Sequence, residues 1–197
     1  MRLAAIACRV FTRELSAAVA KCAHPVEVSW LPQGLHDTPD LLRARINATI
    51  DAIERVDAEA PARRRLDAIV LCYGLCGGGL DGVRAGRLPL VVPRADDCIG
   101  ILLGSQKRYL DYLAARAGIY WYTPGWIEYA DTPSRVYYDA KLRDYTARFG
   151  AENAQWLLEQ ENTWIGAYES GIYIAPPACP SGAFEAFAQD AARMYGW

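Results

Sequence analysis

The chain has 197 residues, 52% of them hydrophobic, with 21 basic against 23 acidic side chains and a formal net charge of −2. That size and composition allow a full buried core. The interspersed charges leave no basic footprint for nucleic acid and no polybasic patch for a membrane surface, so neither partner is expected. The longest apolar runs fall well short of the roughly 20 residues that span a bilayer.

Leu3–Cys8 reads as a first buried strand. The N-terminus imitates a signal peptide, but its apolar segment is too short and Arg9, Arg13 and Glu14 follow directly, so a cytoplasmic protein is expected. Thr12 is a candidate N-cap, with Glu14 in the first turn of a helix running to about Lys21. Val26–Leu31 alternates like a strand nearer a sheet edge and enters a Pro- and Gly-containing loop that carries His36, one of two histidines. In the next helix Leu41, Leu42, Ile46, Ile50 and Ile53 share one face, and Pro61 with Arg63–Arg65 marks its end. Ala68–Cys72 is an unbroken apolar run of the kind a strand buried on both faces needs, and Tyr73-Gly74 turns the chain sharply.

A glycine-rich crossing leads to a fourth strand, Leu88–Val92, stopped by Pro93. Ile99–Leu103 and Ser105–Arg116 carry a helical pattern broken at Gly104, and Gly118–Tyr122 is a fifth strand ending in Thr123-Pro124-Gly125-Trp126. Ser134–Phe149 and Ala151 to about Ala167 read as helices, Gly171–Ile174 as a short strand and Ala183–Met194 as a last amphipathic helix. A helix closing on Gly196 is where a further strand would begin, so the sheet is expected to be short of complete. Alternating strands and helices predict an α/β fold: three layers, a mostly parallel sheet with helices on both faces, forming one domain over 1–197 whose C-terminal helical portion spans roughly 134–197. Right-handed crossovers then bring every strand's carboxyl end to one edge, where open α/β sheets bind ligands.

Without an export signal, the six cysteines are expected as reduced thiols with structural, metal or redox roles. The topology offers Cys8, Cys76 and Cys98 at strand ends and His36 in the loop after the second strand, a soft nitrogen-and-sulfur set suited to zinc, an iron–sulfur cluster or the cobalt of a corrinoid. Cys72 reads as core, Asp97 as a helix cap, and Cys22 and Cys179 carry no assignment. Gly77 and Gly78 bring backbone N–H groups together beside Cys76, and the aromatics Tyr120, Trp121, Tyr122, Trp126 and Tyr129 could floor a pocket, which makes Gly77, Gly78 and Trp126 candidate cofactor contacts. A metal-free alternative uses Cys76 or Cys98 as nucleophile with His36 as base, and a non-catalytic one closes the four ligands around a structural zinc.

Several blocks in order, IACRV with Cys8, Gly34-Leu35-His36-Asp37, YGLCG around Cys76, PRADDC through Cys98, LLGS and TPGW, resemble the DUF1638 proteins. Asp96 stands where many relatives are expected to have histidine, and relatives commonly run on beyond the position of Trp197. The resemblance implies that Cys8, His36, Cys76 and Cys98 are the polar signature of the family. It also implies a neighbourhood, since such proteins are often encoded beside corrinoid-dependent methyltransferases, and it brings no established reaction. The expectation is work in corrinoid-linked one-carbon metabolism, with a corrinoid protein or methyltransferase as partner, either handling the cofactor or transferring a methyl group through a zinc-activated thiol.

Overall fold

The two strands read as the most apolar occupy the middle of a four-stranded sheet. β1 (Leu3–Cys8) and β3 (Ala68–Cys72) lie side by side, with β2 (Val26–Leu31) outside β1 and β4 (Leu90–Val91) outside β3, every pair parallel. Ile6, Ala7, Ile69 and Leu71 are fully buried, as the unbroken apolar pattern requires. β4 is shorter than expected. Pro89 and Pro93 have no N–H to give a ladder, so pairing is confined to Ile69 with Leu90 and Val70 with Val91.

The crossover helices follow the same logic. α1 (Thr12–Lys21) joins β1 to β2, and α2 (Pro39–Glu59) joins β2 to β3 with Leu42, Ile46 and Ile50 buried along one stripe. The C-terminal end of α2 is fastened by carboxylates: Asp57 Oδ1 accepts from Leu66 N at 2.6 Å, Asp57 Oδ2 accepts from the Arg87 guanidinium, and Glu54 Oε1 accepts from Leu88 N at 2.7 Å. These bonds fix the entry into β3 and the approach to β4. α3 (Cys98–Leu102) and α4 (Gln106–Ala115) follow β4, separated around Gly104 as the pattern predicts.

Residues 1–177 and 180–197 of this computed structural model are described, and they divide into two units, Met1–Tyr109 and Leu110–Trp197. Cys179 lies outside the described residues. The second unit begins before the helical portion expected from about residue 134, and its first strand, β5 (Ile119–Tyr122), pairs in parallel with β6 (Ser170–Tyr173) in a separate two-stranded sheet. Thr123 accepts from Trp126 N at 3.1 Å and caps α5 (Pro124–Tyr129), a helix where the sequence pattern predicts only the end of a strand. Pro124 occupies the first helical turn, where its missing N–H costs nothing. α6 (Arg135–Phe149), capped by Ser134, and α7 (Ala151–Glu161) form a packed hairpin, and α8 (Gly182–Tyr195) covers β6. Tyr122 is fully buried and packs with Ala188, Ala191 and Trp197, while Tyr120 stacks on Trp197 at 5.4 Å. Tyr120 and Tyr122 are therefore core. No helix among the described residues is long and apolar enough to cross a membrane.

Candidate functional site

The site in the first unit is built where β1 and β3 end. Ala7 stands opposite Cys72 in the parallel register, so the next residue on each strand, Cys8 and Tyr73, also stand side by side and share the opposite face. Both are buried, at 9% and 4% exposure, which places a thiol and a phenol at the mouth of the sheet with little access to water.

The turn beyond Tyr73 is stitched to the loop after β4. Leu75 N donates to Ala95 O and Cys76 N to Asp96 O, each at 2.9 Å. Gly74 permits this approach: a Cβ there would lie 2.5 Å from the Asp97 Cα and 2.6 Å from its carbonyl carbon. Cys76 then takes φ +48°, the one positive value at a non-glycine position among the described residues, and Gly77 and Gly78 continue at +62° and +89°. A left-handed conformation is costly for a residue with a Cβ, and the two glycines that follow make the rest of the turn cheap. Gly78 N and Gly79 N close the turn on Leu75 O and Cys76 O.

Asp97 organises the other side. Its Oδ1 accepts from Ile99 N and Gly100 N at 2.9 and 3.1 Å, capping α3, and its Oδ2 accepts from the Tyr109 hydroxyl at 2.7 Å. Cys98 is the first residue of α3 and acts electrostatically on Tyr109. Asp96, standing at the position where histidine is expected in relatives, is engaged by Gln106 through its backbone N–H and its carboxylate. His36 sits in a short 3-10 turn, Leu35–Asp37, between β2 and α2, with Nε2 3.3 Å from Asp37 Oδ1.

Burial holds the thiols of Cys8, Cys72 and Cys76 and the phenol of Tyr73 in their protonated forms. Burial pushes the Cys76 thiol up to about 11, reinforced by the negative charge that Cys8 and Asp97 would place beside it and opposed by a hydrogen bond from the Gly74 backbone. Burial also raises Cys8, against weaker opposition from backbone N–H groups and Tyr73, and raises Cys72. Tyr73 rises strongly, through burial first and then the thiols of Cys8 and Cys76. At neutral pH the cluster is a set of protonated thiols and a phenol, and a protonated thiol is a weak nucleophile.

The structure thus brings Cys8, Tyr73 and Cys76 together, with Cys72 and Asp97 adjoining, while Cys98 acts with Asp97 on Tyr109. It does not gather the whole expected ligand set: among the described residues, no group of three or more His, Cys, Asp and Glu side chains is close enough to hold a metal ion. Tyr73, which the sequence pattern presents only as a turn residue, belongs to the site. Its signal was its place one residue beyond Cys72 in a strand adjacent to the one ending at Cys8.

Trp126 lies in the second unit, on α5. That unit has an open cleft of about 500 Å³ lined by residues that include Ile127, Thr132, Tyr137, Lys141, Tyr145 and Phe187. Lys141 Nζ sits 5.7 and 5.6 Å from the rings of Tyr137 and Tyr145 and 2.8 Å from Glu161 Oε1, so its charge is already engaged.

A family model described as "Protein of unknown function (DUF1638)" matches residues 30–197, a span that contains His36, Cys76 and Cys98 and begins after Cys8. No curated protein and no solved structure matches the chain.

Proposed function

Because the chain belongs to the DUF1638 family, whose function is unknown, its own donors must carry the reading, and we propose that it binds a metallocofactor through the thiolates of Cys8 and Cys76. The observation that carries this is the convergence of two thiols from neighbouring strand ends onto one buried phenol, in a turn that holds Cys76 in a left-handed conformation. Sulfur donors select soft metals, and a metal that arrives with ligands of its own, an iron–sulfur cluster or a corrinoid cobalt, needs fewer from the protein than a closed tetrahedral zinc does. Among the described residues no third His, Cys, Asp or Glu joins the pair in a group that could hold a metal, which favours that open arrangement over a four-ligand structural zinc.

Burial that holds the thiols neutral weighs against a metal-free nucleophile, whereas metal binding releases thiol protons outright. In the corrinoid-linked methyl transfer that the family resemblance implies, a bound metal would supply the Lewis acid or methyl acceptor. The protein's part is to present two sulfurs at the sheet edge, one buried and one half-buried, with Asp97 fixing the loop beside them.

The test is elemental analysis and visible absorption of anaerobically purified protein, followed by titration with Co2+, Zn2+ and cobalamin, for the native chain and for Cys8→Ser and Cys76→Ser. Stoichiometric uptake of one of these, lost in both variants, is expected. A colourless, metal-free protein that binds none of the three would overturn the proposal and return the site to thiol chemistry without metal.

A further inference from the structure

The turn that carries Cys76 takes its position from the loop after β4, through Leu75 N to Ala95 O and Cys76 N to Asp96 O, and that loop is itself held from α4. Gln106 grips Asp96 twice: its Oε1 accepts from Asp96 N at 3.0 Å, and its Nε2 donates to Asp96 Oδ2 at 2.6 Å. Tyr109, three residues on and on the same side of the helix, donates from its hydroxyl to Asp97 Oδ2 at 2.7 Å. Gly100 leaves the space that the amide occupies, since a Cβ there would lie 2.6 Å from Gln106 Oε1. Two of the three bonds end on carboxylates, and hydrogen bonds to ionised groups are about twice as strong as neutral ones.

We infer that Gln106 and Tyr109 are positioning residues for Cys76: acting through Asp96 and Asp97, they fix the loop to which its turn is stitched and so set where its sulfur stands. The inference rests on the metallocofactor reading for its purpose, while the clamp itself lies wholly within the first unit. A cysteine sulfur is one rotatable bond away from the backbone, so whatever fixes the backbone also fixes the sulfur. The turn needs such support. Without the clamp, bonds to a loosened loop would have to hold a residue strained at φ +48°.

Two measurements test it, on Tyr109→Phe and Gln106→Met, which keep the shape of each side chain and remove its bonds. The first is amide hydrogen exchange in metal-free protein. Leu75 and Cys76 are compared with Asp67 and Ile69, whose N–H groups donate to Arg2 O and Pro89 O near the start of β3. Each variant speeds exchange at Leu75 and Cys76 by about tenfold relative to Asp67 and Ile69, the factor for one lost hydrogen bond to a carboxylate. In an Asp97→Ala chain, Tyr109→Phe adds nothing, because its acceptor is gone. An equal rise at all four amides, or a Tyr109→Phe effect that survives Asp97→Ala, would mark a general packing role and overturn the inference. The second measurement is Co2+ uptake, which weakens by about tenfold in both variants because a donor that must be ordered on binding lowers affinity. Undiminished uptake in the variants, where the native chain binds Co2+, overturns the inference and leaves the metallocofactor reading intact. If exchange responds as expected but the native chain takes up no Co2+, the clamp on Cys76 stands and the metallocofactor reading falls.

Discussion

Gly74→Ala tests the way the site is assembled. The added Cβ would lie 2.5, 2.6 and 2.7 Å from Asp97 Cα, C and N, all backbone atoms with no rotamer to relax. Carbon atoms in contact sit about 3.5–4.0 Å apart, so the two segments must separate by about 1 Å. They are joined by the bonds from Leu75 N to Ala95 O and from Cys76 N to Asp96 O, both already at 2.9 Å, and such a displacement breaks or badly weakens them. Overpacking costs about 1–3 kcal/mol and each lost bond about 1 kcal/mol. A destabilisation of roughly 3 kcal/mol follows, or about a hundredfold in the folding equilibrium. The same change at Gly77 meets no atom within 4 Å and faces only the left-handed backbone, so it should cost about 1 kcal/mol. Urea unfolding of both variants makes the comparison. If Gly74→Ala costs no more than Gly77→Ala, the two loops are not packed against each other as described, and the link from Cys76 to Asp96 fails with them.

Asp57 gives a pH-dependent prediction. Burial pushes its carboxyl up, but hydrogen bonds from Leu66 N and Arg87 outweigh burial and hold it below the usual carboxylate value; Glu54 is lowered by the backbone N–H groups of Leu88 and Arg87. Stability from both is therefore present above pH about 4 and is lost as pH falls through the lowered folded values. Asp57→Asn should cost roughly 2 kcal/mol at pH 7, less than a fully buried ion pair because Arg87 is half exposed, and should flatten the acid limb of a stability–pH curve. Cys76→Gly removes the strain of φ +48° and should stabilise the metal-free protein by about 1 kcal/mol in urea unfolding while abolishing metal uptake. Asp97→Asn removes the charge beside Tyr109, whose phenol is raised by burial first and by Asp97 second, so the tyrosine titration followed by ultraviolet absorbance should move partway back toward its ordinary range.

The first three strands were legible to the residue, because each is an apolar run with punctuation at both ends: Cys8 before Arg9, Leu31 before Pro32, Cys72 before Tyr73-Gly74. β4 was overdrawn because apolar content was counted and the donor missing at Pro89 was not. α5 was missed for a related reason: Thr123-Pro124 is a cap followed by a first-turn proline, but Gly125 directly after it reads as a breaker. At the site, the placement of Cys8 and Cys76 at the carboxyl edge followed from parallel topology. Register makes Tyr73 the neighbour of Cys8, and register is a property of two distant segments that neither one displays by itself. His36 and Cys98 were placed on the correct connections, but how far each stands from the pair depends on the turn Leu35–Asp37 and on the Asp97 cap.

The position of the strain bears on what the site is for. Cys76 could have reached its hydrogen bond to Asp96 in many backbone conformations, and a glycine would occupy this one without penalty. A residue with a Cβ is kept there instead, in a turn whose next two positions are glycine, so the chain supplies flexibility everywhere except at the sulfur. Packing does not ask for this arrangement, because a small apolar side chain would fill the space as well as a thiol. What only cysteine offers is a soft donor, half-buried in the turn beside Cys8 and Tyr73. Strain that persists where it serves no packing need belongs with the group it positions, and here that group is the thiol of Cys76.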